Sequence, residues 1–145
     1  MRRMMLVPLT VWIVIWLAAP AAADIRILGS PGGEVGSFVR LFDLLRESGE
    51  RIIIDGPCYS ACTLVLSTIP KERICVTRRA VLGFHGARLV DREGHATAAS
   101  RDLNARVAEV YPEAVRRWIA RRGGLTTRMI VLRGAELYRY YPRCG

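Results

Sequence analysis

Three short motifs carry the residue types that acyl transfer through a serine requires. Ser30-Pro31-Gly32-Gly33 follows one apolar run, and Gly56-Pro57-Cys58-Tyr59-Ser60-Ala61-Cys62 follows another. His85 follows a third apolar run, residues 81–84. A serine hydroxyl becomes a nucleophile when a histidine takes its proton, and backbone N–H groups of a Gly-Gly turn stabilise the oxyanion that forms. The sequence therefore predicts a serine nucleophile site assembled from all three motifs.

The elements around these motifs predict a parallel sheet. Residues 25–28 and the β-branched run 52–54 are typical of short buried strands. Between them, residues 34–47 place apolar side chains at helical spacing. Two strands joined by a helix form a βαβ unit, and the carboxyl ends of parallel strands meet at one edge of a sheet. We therefore expect Ser60 and His85 to lie at the same edge.

The second half of the chain predicts further helices. Residues 61–69 are apolar enough for a buried helix, and residues 98–122 form the longest helical candidate. Pro112 lies inside that candidate and predicts a kink or break at Tyr111. Residues 126–132 are predicted as a short helix and residues 137–141 as a final strand.

The N-terminal residues have the order of a secretory signal peptide. Arg2 and Arg3 precede an apolar run, residues 6–19, and Ala21-Ala22-Ala23 offers small residues for cleavage. The alternative is an uncleaved membrane anchor, although the apolar run is short for a span of about 20 residues. We therefore predict a signal peptide over residues 1–23, a single domain over residues 24–145, and an exported protein, periplasmic or secreted.

The net charge of +9 comes almost wholly from arginine, since Lys71 is the only lysine. A basic exported domain attracts anionic surfaces weakly. The chain has no basic stripe interleaved with aromatic residues, so we expect no specific nucleic-acid partner. Contact with a membrane is expected only through the N-terminal segment, if that segment is not cleaved.

Four cysteines remain after cleavage, namely Cys58, Cys62, Cys75 and Cys144. An even number in an exported chain favours disulfides, and four cysteines allow three complete pairings. A zinc site is the competing interpretation, but the spacing of Cys58 and Cys62 is poor for zinc ligands. We predict disulfides, no metal and no cofactor.

The joint order of the motifs resembles the ClpP/crotonase superfamily, and within it the Clp-protease-like branch and related exported proteins. The resemblance covers residues 24–85. It implies an α/β fold with a truncated ClpP/crotonase-like core: a mostly parallel sheet with βαβ units and a long helix after the His85 strand. It also implies that Ser60 is the nucleophile and His85 its base. The N–H groups of Gly33 and Ala61 would form the oxyanion hole.

The sequence departs from the pattern of these peptidases in three respects. The strand and helix that usually precede Ser-Pro-Gly-Gly are missing, and two cysteines flank the serine. The acid that orients the histidine is also missing, so the third member of the triad is unknown and Glu136 is the nearest candidate. A serine–lysine dyad would have to use Lys71, and the acid pair expected for a coenzyme A role is absent.

Two functional hypotheses follow. The first is an exported Clp-like serine hydrolase, an ATP-independent peptidase acting on a peptide or protein substrate. The second is a catalytically inactive ClpP-like binding or assembly module of the cell envelope. The resemblance also implies that the chain forms a homo-oligomer.

Overall fold

The computed structural model describes residues 23–145, in which short strands alternate with short helices. The elements follow one another as β1 (Asp24–Ile27), α1 (Val35–Ser48), β2 (Arg51–Ile54), β3 (Pro57–Tyr59), α2 (Val65–Thr68), β4 (Ile74–Val76), β5 (Val81–Phe84), β6 (Arg88–Val90), β7 (Ala96–Ala98), α3 (Arg101–Ala108), α4 (Glu113–Arg121), β8 (Ile130–Arg133) and α5 (Gly134–Leu137). The predicted signal peptide lies outside the described residues, except for Ala23. Within residues 23–145, no helix is both long and apolar enough to cross a membrane.

Three strands form a parallel sheet in the order β1-β2-β4. Ile25 pairs with Ile52, and Ile53 pairs with Cys75. Helix α1 connects β1 to β2, and it turns Phe42 into the core. The predicted βαβ unit and parallel sheet are confirmed. The strands β2 and β4 are almost entirely buried, as expected for a parallel sheet covered on both faces.

A second three-stranded sheet has the order β3-β5-β8 and carries the residues of interest at its edge. Strands β3 and β5 are parallel, with Tyr59 opposite Gly83. Ser60 is therefore one residue beyond this pair on one strand, and His85 is two residues beyond it on the next. Both residues leave the sheet at the same edge, as the sequence predicts.

The core lies between the sheets and the helices and includes an aromatic cluster beneath the predicted site. The ring of Phe84, the residue before His85, lies 5.3 Å from the Tyr111 ring and 5.6 Å from the Trp118 ring, measured between centroids. All three side chains are buried. The end of β5 is therefore packed firmly against the segment that contains α3 and α4.

The expected long helix after the His85 strand is two short helices. Helix α3 ends at Ala108, and Pro112 directly precedes α4. The prediction of a break near Tyr111 therefore holds, because proline has no N–H to donate and its ring blocks a continuous helix. A hairpin of β6 and β7 also precedes α3.

Two predictions near the C-terminus are wrong. Residues 126–132 do not form a helix, because residues 130–133 alternate between buried and exposed side chains and pair with β5 as the antiparallel strand β8. Residues 137–141 do not form a strand, since α5 ends at Leu137 and a turn follows it. The β-branched side chains of Ile130 and Val131 suit the strand.

Candidate active site

Ser60 sits on a sharp bend between β3 and the first turn of a helix. Its φ is +54°, and within residues 23–145 it is the only non-glycine residue with positive φ. A 3₁₀ helix, Ser60–Leu64, begins at this residue and leads into α2. Such backbone conformations cost about 1–3 kcal/mol and persist only where the surroundings impose them. The neighbours of Ser60 must therefore hold this bend.

A buried chain of hydroxyl groups holds the Ser60 carbonyl. The Thr63 hydroxyl donates to the backbone carbonyl oxygen of Ser60 at 2.7 Å and also lies 2.7 Å from the Tyr111 hydroxyl. Because the Thr63 proton is already used, Tyr111 is the donor in the second bond. Burial raises the pKa of Tyr111, which keeps this donor protonated. The bend is thus connected to the segment between α3 and α4.

A disulfide joins the two sides of the same bend. Cys58 in β3 is bonded to Cys62 in the 3₁₀ helix, with Cα atoms 5.3 Å apart. The second disulfide joins Cys75 in β4 to Cys144 near the C-terminus. The prediction of disulfides is therefore supported. The structure selects one of the three pairings that the sequence left open.

The Ser-Pro-Gly-Gly loop lies directly against this bend. The Ser30 N–H donates to the Pro57 oxygen at 2.7 Å, and the Tyr59 N–H donates to the Ser30 oxygen at 3.0 Å. Gly32 has φ +88°, and a β-carbon built on it would lie 3.1 Å from the Ala61 nitrogen. The loop therefore brings the peptide groups around Gly33 close to the Ala61 N–H.

His85 lies just beyond β5 with its ring half-buried. Its Nδ1 is 2.6 Å from the carbonyl oxygen of Gly86. Since a carbonyl oxygen only accepts, Nδ1 carries the proton and Nε2 is the free acceptor of the neutral ring. The Gly86 N–H donates to the Thr126 oxygen, and the Asn104 side chain accepts from the Ala87 N–H at 2.9 Å. These bonds fix the backbone on which the ring orientation depends.

Ser60 and His85 line the same two cavities. The first has a volume of about 310 Å³ and an apolar wall, formed by Val35, Val39, Leu64, Val107, Val110 and Tyr111. The second has a volume of about 720 Å³ and a more polar wall, which includes Gly33, Glu34, Arg88, Thr127 and Met129. Ala61 lines the first cavity and Gly33 the second. All four residues predicted from the motifs therefore face this pair of cavities.

No hydrogen bond joins the Ser60 hydroxyl to the His85 ring in the structure. Catalytic hydrogen bonds are often long or poorly aligned without substrate and tighten only when it binds. The arrangement places Ser60 and His85 on the walls of the same two cavities, with Ala61 on the first and Gly33 on the second.

Glu136 and Lys71 lie elsewhere in the fold. Glu136 accepts hydrogen bonds from the Trp118 indole at 2.8 Å and from the Arg122 guanidinium at 3.0 Å. The Trp118 bond, and then Arg122, lower the pKa of Glu136. The Lys71 ammonium lies over the Tyr141 ring. Neither side chain lines either of the two cavities.

Thr63 and Asn104 contact the backbone around Ser60 and His85, Tyr111 contacts Thr63, and none of the three belongs to the sequence motifs. Thr63 and Asn104 are among the few buried polar residues. A polar residue within an otherwise apolar helix pattern, as at Thr63, is the signal that would have found it. Tyr111 and Asn104 carried no such signal, because their contacts cross from α3 and its C-terminal end to distant parts of the chain.

One exposed group of side chains in the described part of the chain has the composition of metal ligands. Asp91, Glu93 and His95, on the turn between β6 and β7, place their ligand atoms within 4.8 Å of one another. His95 donates to Asp91 from its backbone N–H at 2.7 Å, and its ring Nδ1 lies 2.9 Å from the same carboxylate. These contacts join the two ends of the hairpin turn.

Comparison with known proteins places the fold. No protein-family model matches the sequence, and none of the curated proteins compared with it does. Among solved structures, a ClpP1 variant from Listeria monocytogenes matches with a TM-score of 0.58 and 18% sequence identity. The match covers 81% of this chain and 68% of that protein. The chain therefore has a ClpP-like fold.

Proposed function

We propose that the chain is an exported serine hydrolase of the ClpP-like type, acting as an ATP-independent peptidase through Ser60 and His85. The observation that carries this proposal is the bend at Ser60, a left-handed serine between a strand and a helix that shares two cavities with a histidine. A structural serine needs neither the unfavourable backbone conformation nor the histidine beside the cavity. A sharp strand-to-helix turn exposes a serine hydroxyl, and a neighbouring histidine can take its proton.

Each group has a role in the proposed reaction. The Ser60 hydroxyl oxygen, Oγ, attacks the substrate carbonyl carbon while His85 Nε2 takes the hydroxyl proton. The N–H groups of Gly33 and Ala61 stabilise the negative oxygen that develops on the tetrahedral intermediate. The imidazolium then gives the proton to the leaving amine, and an acyl group remains on Ser60. A water molecule, deprotonated by Nε2, hydrolyses that ester and restores the hydroxyl.

The Gly86 carbonyl takes the orienting role that an acid has in other serine hydrolases. It accepts from Nδ1 and so keeps Nε2 free as the base. A carbonyl carries no full charge, so it stabilises the imidazolium less than a carboxylate does. We therefore expect slow turnover, because losing the acid of a triad costs about 10⁴-fold in rate.

Export is supported by the two disulfides. Such bonds persist in oxidising compartments and are rare in the cytosol. The basic, signal-like N-terminal sequence agrees with this placement. The resemblance of the motifs to the superfamily also implies self-association, which sedimentation velocity of the oxidised chain tests directly.

The second candidate is a catalytically inactive binding or assembly module. It is favoured by the acid-poor surroundings of His85, since Glu34 is the only carboxylate among the described residues, 23–145, that line the two cavities. Glu34 itself accepts hydrogen bonds from the N–H groups of Gly36 and Ser37 at the start of α1. Under this hypothesis, replacing Ser60 and His85 by alanine leaves ligand binding unchanged.

Labelling with a fluorophosphonate probe separates the two candidates. A hydrolase site is labelled in the folded, oxidised protein, and Ser60→Ala abolishes the label. His85→Ala lowers the labelling rate by about 10³-fold or more. Ser67→Ala is the matched control, because Ser67 lines the same apolar cavity but lies outside the motif, and it labels like the wild type. An unlabelled wild-type protein, or a label that persists in Ser60→Ala, contradicts the proposal.

A further inference from the structure

The Cys58–Cys62 disulfide has Ser60 at its centre. It connects the middle residue of β3 to the third residue of the 3₁₀ helix, and the two cysteines are each two residues from the serine. Cys58 is also held by the sheet, where it pairs with Leu82. The bond therefore fixes the distance between the strand that enters the bend and the helix that leaves it.

The disulfide is poorly suited to stabilising the fold as a whole. A disulfide acts mainly by restricting the unfolded chain, and its effect grows with the length of the loop it closes. The Cys58–Cys62 separation is 4 residues, whereas the Cys75–Cys144 separation is 69. The longer loop is the better global stabiliser, so the shorter one calls for a local explanation.

The bend that the disulfide spans also supports the proposed oxyanion hole. Gly32 lies against Ser60 and the Tyr59 carbonyl, and the Ala61 nitrogen is nearby. A relaxed bend would therefore shift the serine hydroxyl and both N–H donors together. Cys58 and Cys62 are 0% and 1% exposed, so the bond lies in the core directly under the site rather than on the surface.

We propose that the Cys58–Cys62 disulfide is a positioning device that holds Ser60 in its left-handed conformation, so that the site reacts at its full rate only when this bond is formed. This inference rests on the proposed hydrolase function. The two cysteines take no part in the bond-making steps of the proposed reaction, so their role is to position Ser60. The Cys75–Cys144 disulfide joins β4 to the C-terminal segment and does not span the bend, so it has no part in this role.

The test compares removal of each disulfide in the full chain. We measure fluorophosphonate inactivation well below the unfolding temperature of each variant, and separate the limiting rate from the probe concentration at half-saturation. In Cys58→Ala/Cys62→Ala, the limiting rate falls by about 100-fold, the loss expected for a misplacement of about 1 Å. The half-saturating concentration stays unchanged, because the apolar cavity remains.

The matched control is Cys75→Ala/Cys144→Ala. Its limiting rate stays within about twofold of the wild type, as expected for an independent site, although its unfolding temperature falls further. The inference is overturned if Cys58→Ala/Cys62→Ala reacts within about twofold of the wild type, or if both pairs lower the limiting rate equally. Should the alanine pair not fold, Cys58→Val/Cys62→Ala replaces it, since this pair fills the buried space.

A structural measurement separates this inference from the proposed function. If the wild-type protein is not labelled, the hydrolase proposal fails. A crystal structure of Cys58→Ala/Cys62→Ala then still tests the disulfide through the Ser60 backbone. A negative φ at Ser60 supports the positioning role, and an unchanged positive φ overturns it.

Discussion

A β-carbon at Gly32 would lie 2.6 Å from the Cβ of Ser60 and 2.6 Å from the Tyr59 carbonyl oxygen. Real Cβ atoms do not approach other atoms so closely, so only glycine fits where the loop meets the serine bend. The conformation of the bend at Ser60 therefore depends on a glycine at position 32, although 28 positions separate the two residues. This contact also makes Gly32 a sensitive point for both stability and reactivity.

We expect Gly32→Ala to lower the free energy of unfolding by about 2–4 kcal/mol, from backbone strain at positive φ together with overpacking. Labelling of Ser60 should be lost, because the bend or the loop must shift. Gly94→Ala is the matched control, since Gly94 has the same φ of +88° but open space around it. It should cost only the strain, about 1 kcal/mol. Denaturant unfolding measures both, and equal losses in the two variants would contradict the steric explanation.

Removing the Tyr111 hydroxyl and removing the Thr63 hydroxyl should lower the free energy of unfolding by different amounts. Tyr111→Phe removes one buried hydrogen bond and should cost about 1 kcal/mol of unfolding free energy. Thr63→Val should cost about 1–3 kcal/mol, because it leaves the buried Tyr111 hydroxyl without its acceptor and removes the hydroxyl hydrogen bond to the Ser60 carbonyl. It should also slow labelling of Ser60 more than Tyr111→Phe does.

Thr68→Val serves as the control for the hydroxyl chain. Thr68 lines the apolar cavity that Tyr111 also lines, and its hydroxyl donates to the Leu64 carbonyl. The labelling rate of Thr68→Val should match that of the wild type. If Thr63→Val and Thr68→Val behave alike in chemical denaturation and labelling, the hydrogen-bonded hydroxyls of Thr63 and Tyr111 do not hold the bend.

Asp55 should make stability depend on acid pH. Its carboxylate is 5% exposed and accepts from Arg79 at 3.0 Å, from Thr77 at 2.6 Å and from Arg26 at 2.8 Å. The hydrogen bond from Arg79, followed by those from Thr77 and Arg26, holds the pKa of Asp55 far below its ordinary value of 3.8. The folded state thus binds the proton more weakly than the unfolded state. The resulting stability is fully present above pH 3.8 and is lost as the pH falls below it.

Asp55→Asn should therefore lower the unfolding temperature at pH 7, with the gap to the wild type shrinking as the pH falls below about 4. Thermal unfolding of both proteins between pH 7 and pH 2 checks this. Asp24→Asn is the comparison, because Asp24 is exposed and its ion pair with Arg51 lies on the surface, and its gap should be smaller at every pH. A gap of constant size for Asp55→Asn would show that protonation of this carboxylate does not control acid stability.

The two disulfides should differ in what they contribute to stability. By loop-closure entropy, the Cys75–Cys144 bond contributes about 4 kcal/mol and the Cys58–Cys62 bond about 2 kcal/mol. Urea unfolding of Cys75→Ala/Cys144→Ala and Cys58→Ala/Cys62→Ala measures the ranking. The reverse order would mean that the loss of packing at Cys58 and Cys62 outweighs the difference in loop-closure entropy.

The sequence alone was sufficient for features with local causes. The β-branched run before the second motif predicts a strand, the helical spacing of Phe38 and Phe42 predicts α1, and Pro112 predicts the break before α4. The order of strand, turn and helix around Ser60 is likewise a local property. Each of these depends on residues within about one turn of each other, where propensity and periodicity carry the information.

Only the tertiary structure decided which distant residues meet. It pairs Tyr59 with Gly83, so that Ser60 and His85 leave one sheet edge, and it joins Cys75 to Cys144, which selects one of the three disulfide pairings. It also turns residues 130–133 into a strand beside β5 and engages Glu136 with Trp118. Each of these depends on contacts between segments far apart in the chain. Their free energy comes from shared burial and hydrogen bonding, which no single stretch of sequence contains.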